Sequence, residues 1–445
     1  MSVKATLAKV FAALVKRKIN RWAADPIATQ QQVFHSLIAK AQNTAFGTDH
    51  RFAEIHSYAD FTQRIPIRDY EALKPYIDRV VEGERDVLWR GKPLYFAKTS
   101  GTTSGAKYIP ITKESMPHHI VPAYLQRNRM PSYKTNCIED WETKIDAIVS
   151  ETFTQDMTLI SGIPSWVLMY FERLVKCSGL PVGKLFPDFS LFIYGGVNYE
   201  PYRQKFEHLI GRKVDSIELY PASEGFFAFQ DSQKEKGMLL LLASGIFYEF
   251  VEADTFFTDT PKCVPLSEVQ LGVNYALVIS TNAGLWRYSI GDTVQFTSLA
   301  PYRIVVTGRI KHFISAFGEH VIAKEVEEAL QQTLEGTEAR VTEFTVAPQV
   351  TPPQGQLPYH EWLIEFENEP ADMSAFALAL DKAMQQQNTY YYDLIQGKVL
   401  QPLKITRVEK GGFNAYMKTQ GKLGGQNKIQ RLANDRSIAE KLPLL

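Results

Sequence analysis

From residue 94 to 307 the chain alternates short runs rich in β-branched and aromatic residues with stretches whose apolar residues recur every three or four positions. Residues 94–97, 191–194, 214–220, 275–280 and 304–307 read as strands, and 112–127, 165–175 and 201–210 read as helices. Few architectures accommodate such alternation, because each strand needs neighbours in a sheet and each helix needs a face to cover. The expectation is an α/β layer protein. Residues up to about 90 carry a helical pattern, clearest over 33–41 and 70–81 and broken by Gly47 and Pro66, and predict an N-terminal helical layer. After Gly308 the pattern restarts as a helix (321–334), an extended run (340–347), a polar Pro-rich turn (349–358), a strand (362–366) and a helix (373–387). The predicted organisation is a large N-terminal domain over 1–308 with mixed sheets and helical layers, a hinge over 309–317, and a small mobile α+β C-terminal lid domain over 318–445.

Composition narrows the function. A chain of 445 residues with 45% apolar and 12% aromatic content has ample material for more than one core. Lys plus Arg and Asp plus Glu are both 49, so no overall field exists to hold a nucleic-acid backbone, and no nucleic-acid partner is expected. Cys137, Cys177 and Cys263 are an odd number without CxxC spacing, which argues against a disulfide scaffold or zinc ribbon. Buried core positions are expected for them, in a reducing, cytoplasmic setting. The first 23 residues are basic (Lys4, Lys9, Lys16, Arg17, Lys18, Arg21) around the apolar run 10–15, and predict an amphipathic helix packed on the main body. No stretch reaches the roughly 20 apolar residues of a spanning helix, so no stable membrane insertion is expected.

The most informative segment is Lys98-Thr99-Ser100-Gly101-Thr102-Thr103-Ser104-Gly105-Ala106-Lys107, between two predicted strands. Small residues let backbone N–H groups approach phosphate oxygens, hydroxyls add donors, and Lys107 supplies a point charge, so the segment suits a polyphosphate. It is not a P-loop, since three residues rather than four separate Gly101 from Gly105 and Lys107 leads into the strand-like Tyr108-Ile109-Pro110. No G-x-G-x-x-G turn is present either.

With this segment the chain resembles the adenylate-forming enzymes, and more specifically the auxin-responsive acyl-acid amido synthetases of the Gretchen Hagen family, as a bacterial member. Four further stretches in the expected order carry the likeness: Tyr194-Gly195-Gly196-Val197, Tyr220-Pro221-Ala222-Ser223-Glu224-Gly225, Trp286-Arg287-Tyr288-Ser289-Ile290-Gly291-Asp292, and Gly424-Gly425-Gln426-Asn427-Lys428-Ile429-Gln430-Arg431. The resemblance implies that Thr99, Ser100, Gly101, Thr102, Thr103, Ser104 and Lys107 grip the β- and γ-phosphates of ATP. Glu224, at the C-terminal end of a predicted strand, is expected to hold Mg2+, because a hard cation bridging phosphates needs only one or two carboxylates, and the resemblance implies that Ala222 and Ser223 beside it bind the nucleotide. Glu218 is expected to point elsewhere by strand alternation. Tyr220 and the Gly195-Gly196-Val197 turn read as the two sides of an adenine slot. Asp292, expected in a turn, resembles the acid that accepts the ribose hydroxyls, and Arg309 resembles the arginine beside the ribose. Lys428 matches the mobile lysine that bridges the α-phosphate and the substrate carboxylate. This chain departs from the pattern at Lys311-His312, where many relatives carry an acidic pivot, and at Gln430, where the family has proline.

The segment Ser161-Gly162-Ile163-Pro164-Ser165-Trp166 lacks a nucleophile elbow and resembles the family's acyl-pocket wall, so Met116, Trp166 and Tyr170 are expected to line an apolar pocket. Adjacent His118 and His119 point about 100° apart on a helix and do not make a metal pair. The implied activity is an ATP-dependent ligase joining a small carboxylic acid to the amine of an amino acid through an acyl-adenylate. An acyl-CoA ligase shares the first half-reaction, and a catalytically silent small-molecule-binding protein is the reading from another class.

Overall fold

The computed structural model describes all residues except 1–2, 101–105, 120–128, 139, 197–198, 259, 311–312, 315–320, 351, 353–355, 398, 424–427 and 434. By contacts the chain forms two compact units. The first combines Met1–Tyr124 with Leu219–Val306, and the second combines Leu125–Glu218 with Thr307–Leu445. This grouping follows a different line from the 1–308 and 318–445 division, because a mid-chain segment groups with the C-terminal residues.

In the first unit a helical layer covers a largely antiparallel sheet. The helix Pro26–Ala41 starts where Asp25 accepts from the Ala28 N–H and Pro26 occupies the first turn. The helix Tyr70–Val81 is capped in the same way by Asp69. Both turn Phe34, Leu37, Leu73 and Ile77 into one core with Phe227, Tyr248, Leu277 and Trp286 from the strands. Sheet order runs from the end of Asp215–Ala222 through Gly225–Phe229, Met238–Leu240, Tyr302–Arg309, Tyr288–Leu299, Asn274–Thr281 and Ile246–Glu252 to Cys263–Pro265. A separate hairpin pairs Tyr95–Ser100 with Ala106–Ile111 in the register Ser100↔Ala106 and Thr99↔Lys107.

The N-terminal helix Val3–Ala24 differs from expectation. Val10, Phe11, Leu14 and Val15 are exposed, and among the described side chains only Ile19, Trp22 and Ala23 pack on the core. The cysteines differ too: Cys137 and Cys177 are exposed, and Cys263 is half-buried beside charged groups. Of the predicted helix 112–127 the described residues contain the single turn Met116–His119. No helix among the described residues is long and apolar enough to cross a membrane.

In the second unit, parallel strands Leu159–Gly162 and Leu191–Gly195 are joined through the helix Pro164–Ser178. Their core gathers Phe171, Phe189, Phe192 and Phe206. The same unit holds a three-stranded sheet in the order Arg340–Gln349, Tyr359–Asn368, Lys404–Arg407, the first pair antiparallel and the second parallel. The helices Ala323–Leu334 and Met373–Gln387 pack Val326, Leu330, Phe376 and Leu380 against Phe344, Trp362 and Ile364 of that sheet. The α/β class and the α+β C-terminal part expected from the sequence are what the chain adopts.

Candidate functional site

The expected site residues fall on both units, and each set has its own geometry. In the first unit the strand Asp215–Ala222 ends at the tight connection Ser223-Glu224 into Gly225–Phe229. Tyr220 is buried there, its ring edge-on to Phe227 at 5.1 Å, and its hydroxyl donates to Asp292 Oδ2 at 2.8 Å. Asp292 is not in a turn. It lies inside the strand Tyr288–Leu299, where Ala276 faces Thr293 but Val278 faces Ser289, so residues 290–292 bulge opposite Leu277. Gly291 takes φ +83 at that bulge, a conformation side-chain-bearing residues rarely adopt. The bulge re-aims the strand and carries Asp292 to the Tyr220 hydroxyl.

Tyr288 stands beside Glu224, and burial followed by the Glu224 and Asp69 charges pushes its phenol above the ordinary tyrosine range. Glu224 therefore has a hydroxyl partner on the strand that also carries Asp292. Among the described residues no three His, Cys, Asp or Glu side chains form a metal cluster. Glu224 fits a cation held mainly by phosphate oxygens, for which one carboxylate suffices.

The hairpin brings Thr99 and Lys107 opposite each other. Lys107 Nζ sits 5.4 Å from the Tyr70 ring centroid, and the Tyr108 N–H donates to the Tyr70 hydroxyl at 2.9 Å, which ties the second strand of the hairpin to the helical layer. Gly101, Thr102, Thr103, Ser104, Gly105 and Val197, with the side chains of Thr99, Ser100, His118 and His119, lie outside the described residues. Met116 belongs to the first unit.

In the second unit Lys428 donates its ammonium to the carbonyl of Gly196, directly after the strand Leu191–Gly195. Gly196 has φ +87, and a Cβ there would lie 2.6 Å from Lys428 Nζ. Lys428 also borders an open cleft whose walls include Trp166, Met169, Phe413, Met417 and Leu423. Tyr170, one helical turn beyond Trp166, is instead part of the core, its hydroxyl 2.7 Å from Thr152 Oγ1. Arg309 is the exposed last residue of Tyr302–Arg309.

Sequence reasoning passed over two buried arginines inside the motifs it used. Arg287 is 4% exposed, donates from Nε to both oxygens of the fully buried Glu249 (3.0 and 3.1 Å) and from Nη1 to the Ile65 carbonyl (2.6 Å). The Arg287 carbonyl accepts from the Arg68 N–H, so this residue pins the start of the strand that carries Tyr288 and Asp292. Arg431 is 8% exposed and binds Glu327, Glu343 and Tyr202. A guanidinium among apolar neighbours in a motif was the available signal; the carboxylates that meet it are far away in sequence. Glu218, set aside from the site, is drawn up to about 7 by removal from water and by the Glu327 and Glu200 charges.

Comparison with known proteins places this geometry. Residues 15–136 match the GH3 family N-terminal domain, 239–309 the GH3 family central domain, and 323–437 the GH3 family C-terminal domain, consecutive parts of one family that together cover more than half of the chain. The chain belongs to the GH3 family. Among similar GH3 sequences, indole-3-acetic acid-amido synthetase GH3.3 of Arabidopsis thaliana is 26% identical over 254 residues, covering 53% of this chain and 42% of the relative. Jasmonoyl–L-amino acid synthetase JAR4 of Nicotiana attenuata is 31% identical, covering 53% of this chain and 60% of the relative. These matches thus span less than two thirds of either relative's length. Both organisms are plants and lend no support to the bacterial membership expected above. Of solved structures, GH3.15 acyl acid amido synthetase superposes with a TM-score of 0.76 over 96% of both chains at 15% identity. A 2-hydroxyisobutyryl-CoA ligase bound to 2-HIB-AMP superposes at 0.60 over 93% of this chain and 90% of that one, at 14% identity. The fold is therefore the one these adenylate-forming proteins share.

Proposed function

We propose that this GH3 chain is an ATP-dependent acyl-acid amido synthetase. A carboxylate oxygen of a small acid attacks the α-phosphorus of ATP and pyrophosphate leaves; the amine of an amino acid then attacks the activated carbonyl, loses a proton, and AMP departs with the electron pair of the broken C–O bond. The observation that carries the reading is Lys428: a lysine of the GH3 C-terminal domain whose ammonium rests on the carbonyl of the second glycine in the Tyr194–Val197 motif. A cation there offsets the charge that builds between the carboxylate and the α-phosphate, and only in the transition state does it meet both.

The other residues take supporting roles. The Thr99–Lys107 hairpin holds the outer phosphates. Glu224 holds Mg2+, which when bound neutralises phosphate charge, and Tyr288 orients the Glu224 carboxylate. Tyr220 and Asp292 are already paired before substrate arrives, so the ribose hydroxyls meet a preset acceptor. Trp166 lines the acyl pocket, and Tyr170 stiffens the helix that bears Trp166. The segment 309–317 acts as a hinge between an adenylating domain over 1–308 and a lid over 318–445. Indole-3-acetic and jasmonic acids, named for the relatives, are the first acids to test.

The decisive experiment measures AMP release from ATP with each acid alone, with an amino-acid mixture, and with coenzyme A. Acceleration by amino acids and indifference to coenzyme A is the expected result. An acyl-CoA product seen by mass spectrometry, without amide, would assign the chain to the CoA ligases instead.

A further inference from the structure

Arg431 follows Lys428 by three residues, and each of the three nitrogens of its guanidinium is engaged. Nε donates to Glu327 at 3.2 Å, Nη1 to Glu343 and to the Phe344 carbonyl at 2.9 Å, and Nη2 to the Tyr202 hydroxyl. The cation also lies 4.5 Å from the Phe344 ring centroid. These partners come from three elements: the helix Ala323–Leu334, the strand Arg340–Gln349 and the helix Glu200–Ile210. Backbone bonds lock the same segment, with the Val346 N–H on the Arg431 carbonyl at 2.9 Å, the Ala433 N–H on the Val346 carbonyl at 2.9 Å, and Thr345 Oγ1 on the Gln430 carbonyl at 2.7 Å. Residues 430–433 are thereby fixed, and Lys428 lies within about 10 Å of chain from that anchor.

We propose that Arg431 is the positioning residue for Lys428 and that the Tyr202 hydroxyl sets its seat. Stability alone does not call for this cluster, since apolar side chains of similar volume fill such a site at no greater cost than a desolvated ion group. What a planar five-donor fork adds is registry: it fixes one segment against several acceptors at once. Tyr202 is 2% exposed, and its hydroxyl accepts from Arg431 while donating toward Glu343 at 3.2 Å. That hydroxyl links the Lys428 segment to the helix Glu200–Ile210, which follows the Gly195–Gly196 turn in the chain. Removing it leaves the ion group in place and loosens one side of the fork. This proposal rests on the reading of Lys428 as the charge-stabilising group, and its test is arranged so that the two fail separately.

The full chain and its Tyr202→Phe and Arg431→Lys variants are treated with limiting acetic anhydride, and acetylation of Lys428 is followed by mass spectrometry relative to the exposed Lys418. Lys428 is expected to react about fivefold faster in Tyr202→Phe, less than the full worth of one hydrogen bond to a charged group because the rest of the fork stays in place, and at least as fast in Arg431→Lys, which keeps the charge and loses the fork. An unchanged Lys428 to Lys418 ratio in the variants that fold overturns the proposal. Pyrophosphate exchange in the same proteins should show a fivefold lower kcat for Tyr202→Phe at unchanged KM for ATP, and no additional loss when Tyr202→Phe is added to Lys428→Ala. A loss that persists in the Lys428→Ala background makes Tyr202 merely structural and overturns the proposal. Exchange that is absent with every acid in the wild-type chain counts against the adenylation reading, while the labelling ratio still decides the positioning role.

Discussion

Arg287 in the first unit and Arg431 in the second solve the same problem with different charge balance. Each buries a guanidinium next to a segment that the proposed chemistry uses: Arg287 before Tyr288 and the Asp292 bulge, Arg431 after Lys428. Around Arg287 one carboxylate, Glu249, is 0% exposed and matched by one cation, with the Tyr58 hydroxyl (2.9 Å) and backbone carbonyls filling the remaining positions. Burial and the Glu249 charge also push the Cys263 thiol beside it up to about 12, so that cysteine stays a neutral neighbour. Around Arg431 two carboxylates face one cation, and a third, Glu218, retains a proton to about 7 beside Glu327. The first cluster is electrically closed and builds a fixed platform. Among the described contacts the second has two carboxylates on one cation, so its cohesion responds to pH and to the loss of a single hydroxyl.

The sharpest way to break this contrast is to neutralise one acid in each. Glu249→Gln leaves Arg287 buried without its counter-charge and should cost on the order of 3–5 kcal/mol in urea unfolding. Glu343→Gln leaves Glu327 on Arg431 and should cost less than half as much. Equal losses would erase the distinction between the two clusters.

Much of this was readable in the sequence where the cause is local. The helix Met373–Gln387 has the bounds its pattern predicts, because Asp372 caps it with bonds to the Ser374 and Ala375 N–H groups. The predicted helix 321–334 begins two residues late, since Val321 and Ile322 pair with Phe313 and Ile314, a non-local choice that periodicity cannot reveal. Asp292 looked like a turn residue because Gly291 precedes it; strand register with Asn274–Thr281 makes it a bulge instead. Arg431 closes a motif that is read only for Lys428, and only its partners at 327 and 343 make it a buried anchor. Glu218 was placed off the site by strand alternation, which says nothing about its neighbours Glu327 and Glu200.

A smaller effect probes the nucleotide platform. Asp292→Asn keeps the Tyr220 contact but weakens acceptance from two ribose hydroxyls, and should raise KM for ATP by about tenfold, the worth of one hydrogen bond to a charged group, with kcat little changed. A fall in kcat at constant KM would remove Asp292 from ribose binding.

The smallest effect tests Glu218. Between the ordinary glutamate value of 4.5 and about 7, the folded chain keeps a proton on Glu218 that the unfolded chain has lost, so this group lowers stability as pH rises through that window. Glu218→Gln should abolish that decline, lifting the thermal midpoint at pH 8 by about 2–4 °C relative to wild type and leaving it unchanged at pH 4. A variant whose advantage is the same at both pH values would show that Glu218 acts through packing and not through charge.

The most direct test of the whole account is acid-dependent exchange of labelled pyrophosphate into ATP by wild-type protein and by Lys428→Ala, measured side by side. Loss of the cation proposed to meet the developing charge should slow exchange by about 10²–10³-fold with the thermal midpoint unchanged, because Lys428 is exposed and holds no part of the core. Near-normal exchange in a folded Lys428→Ala protein would contradict it.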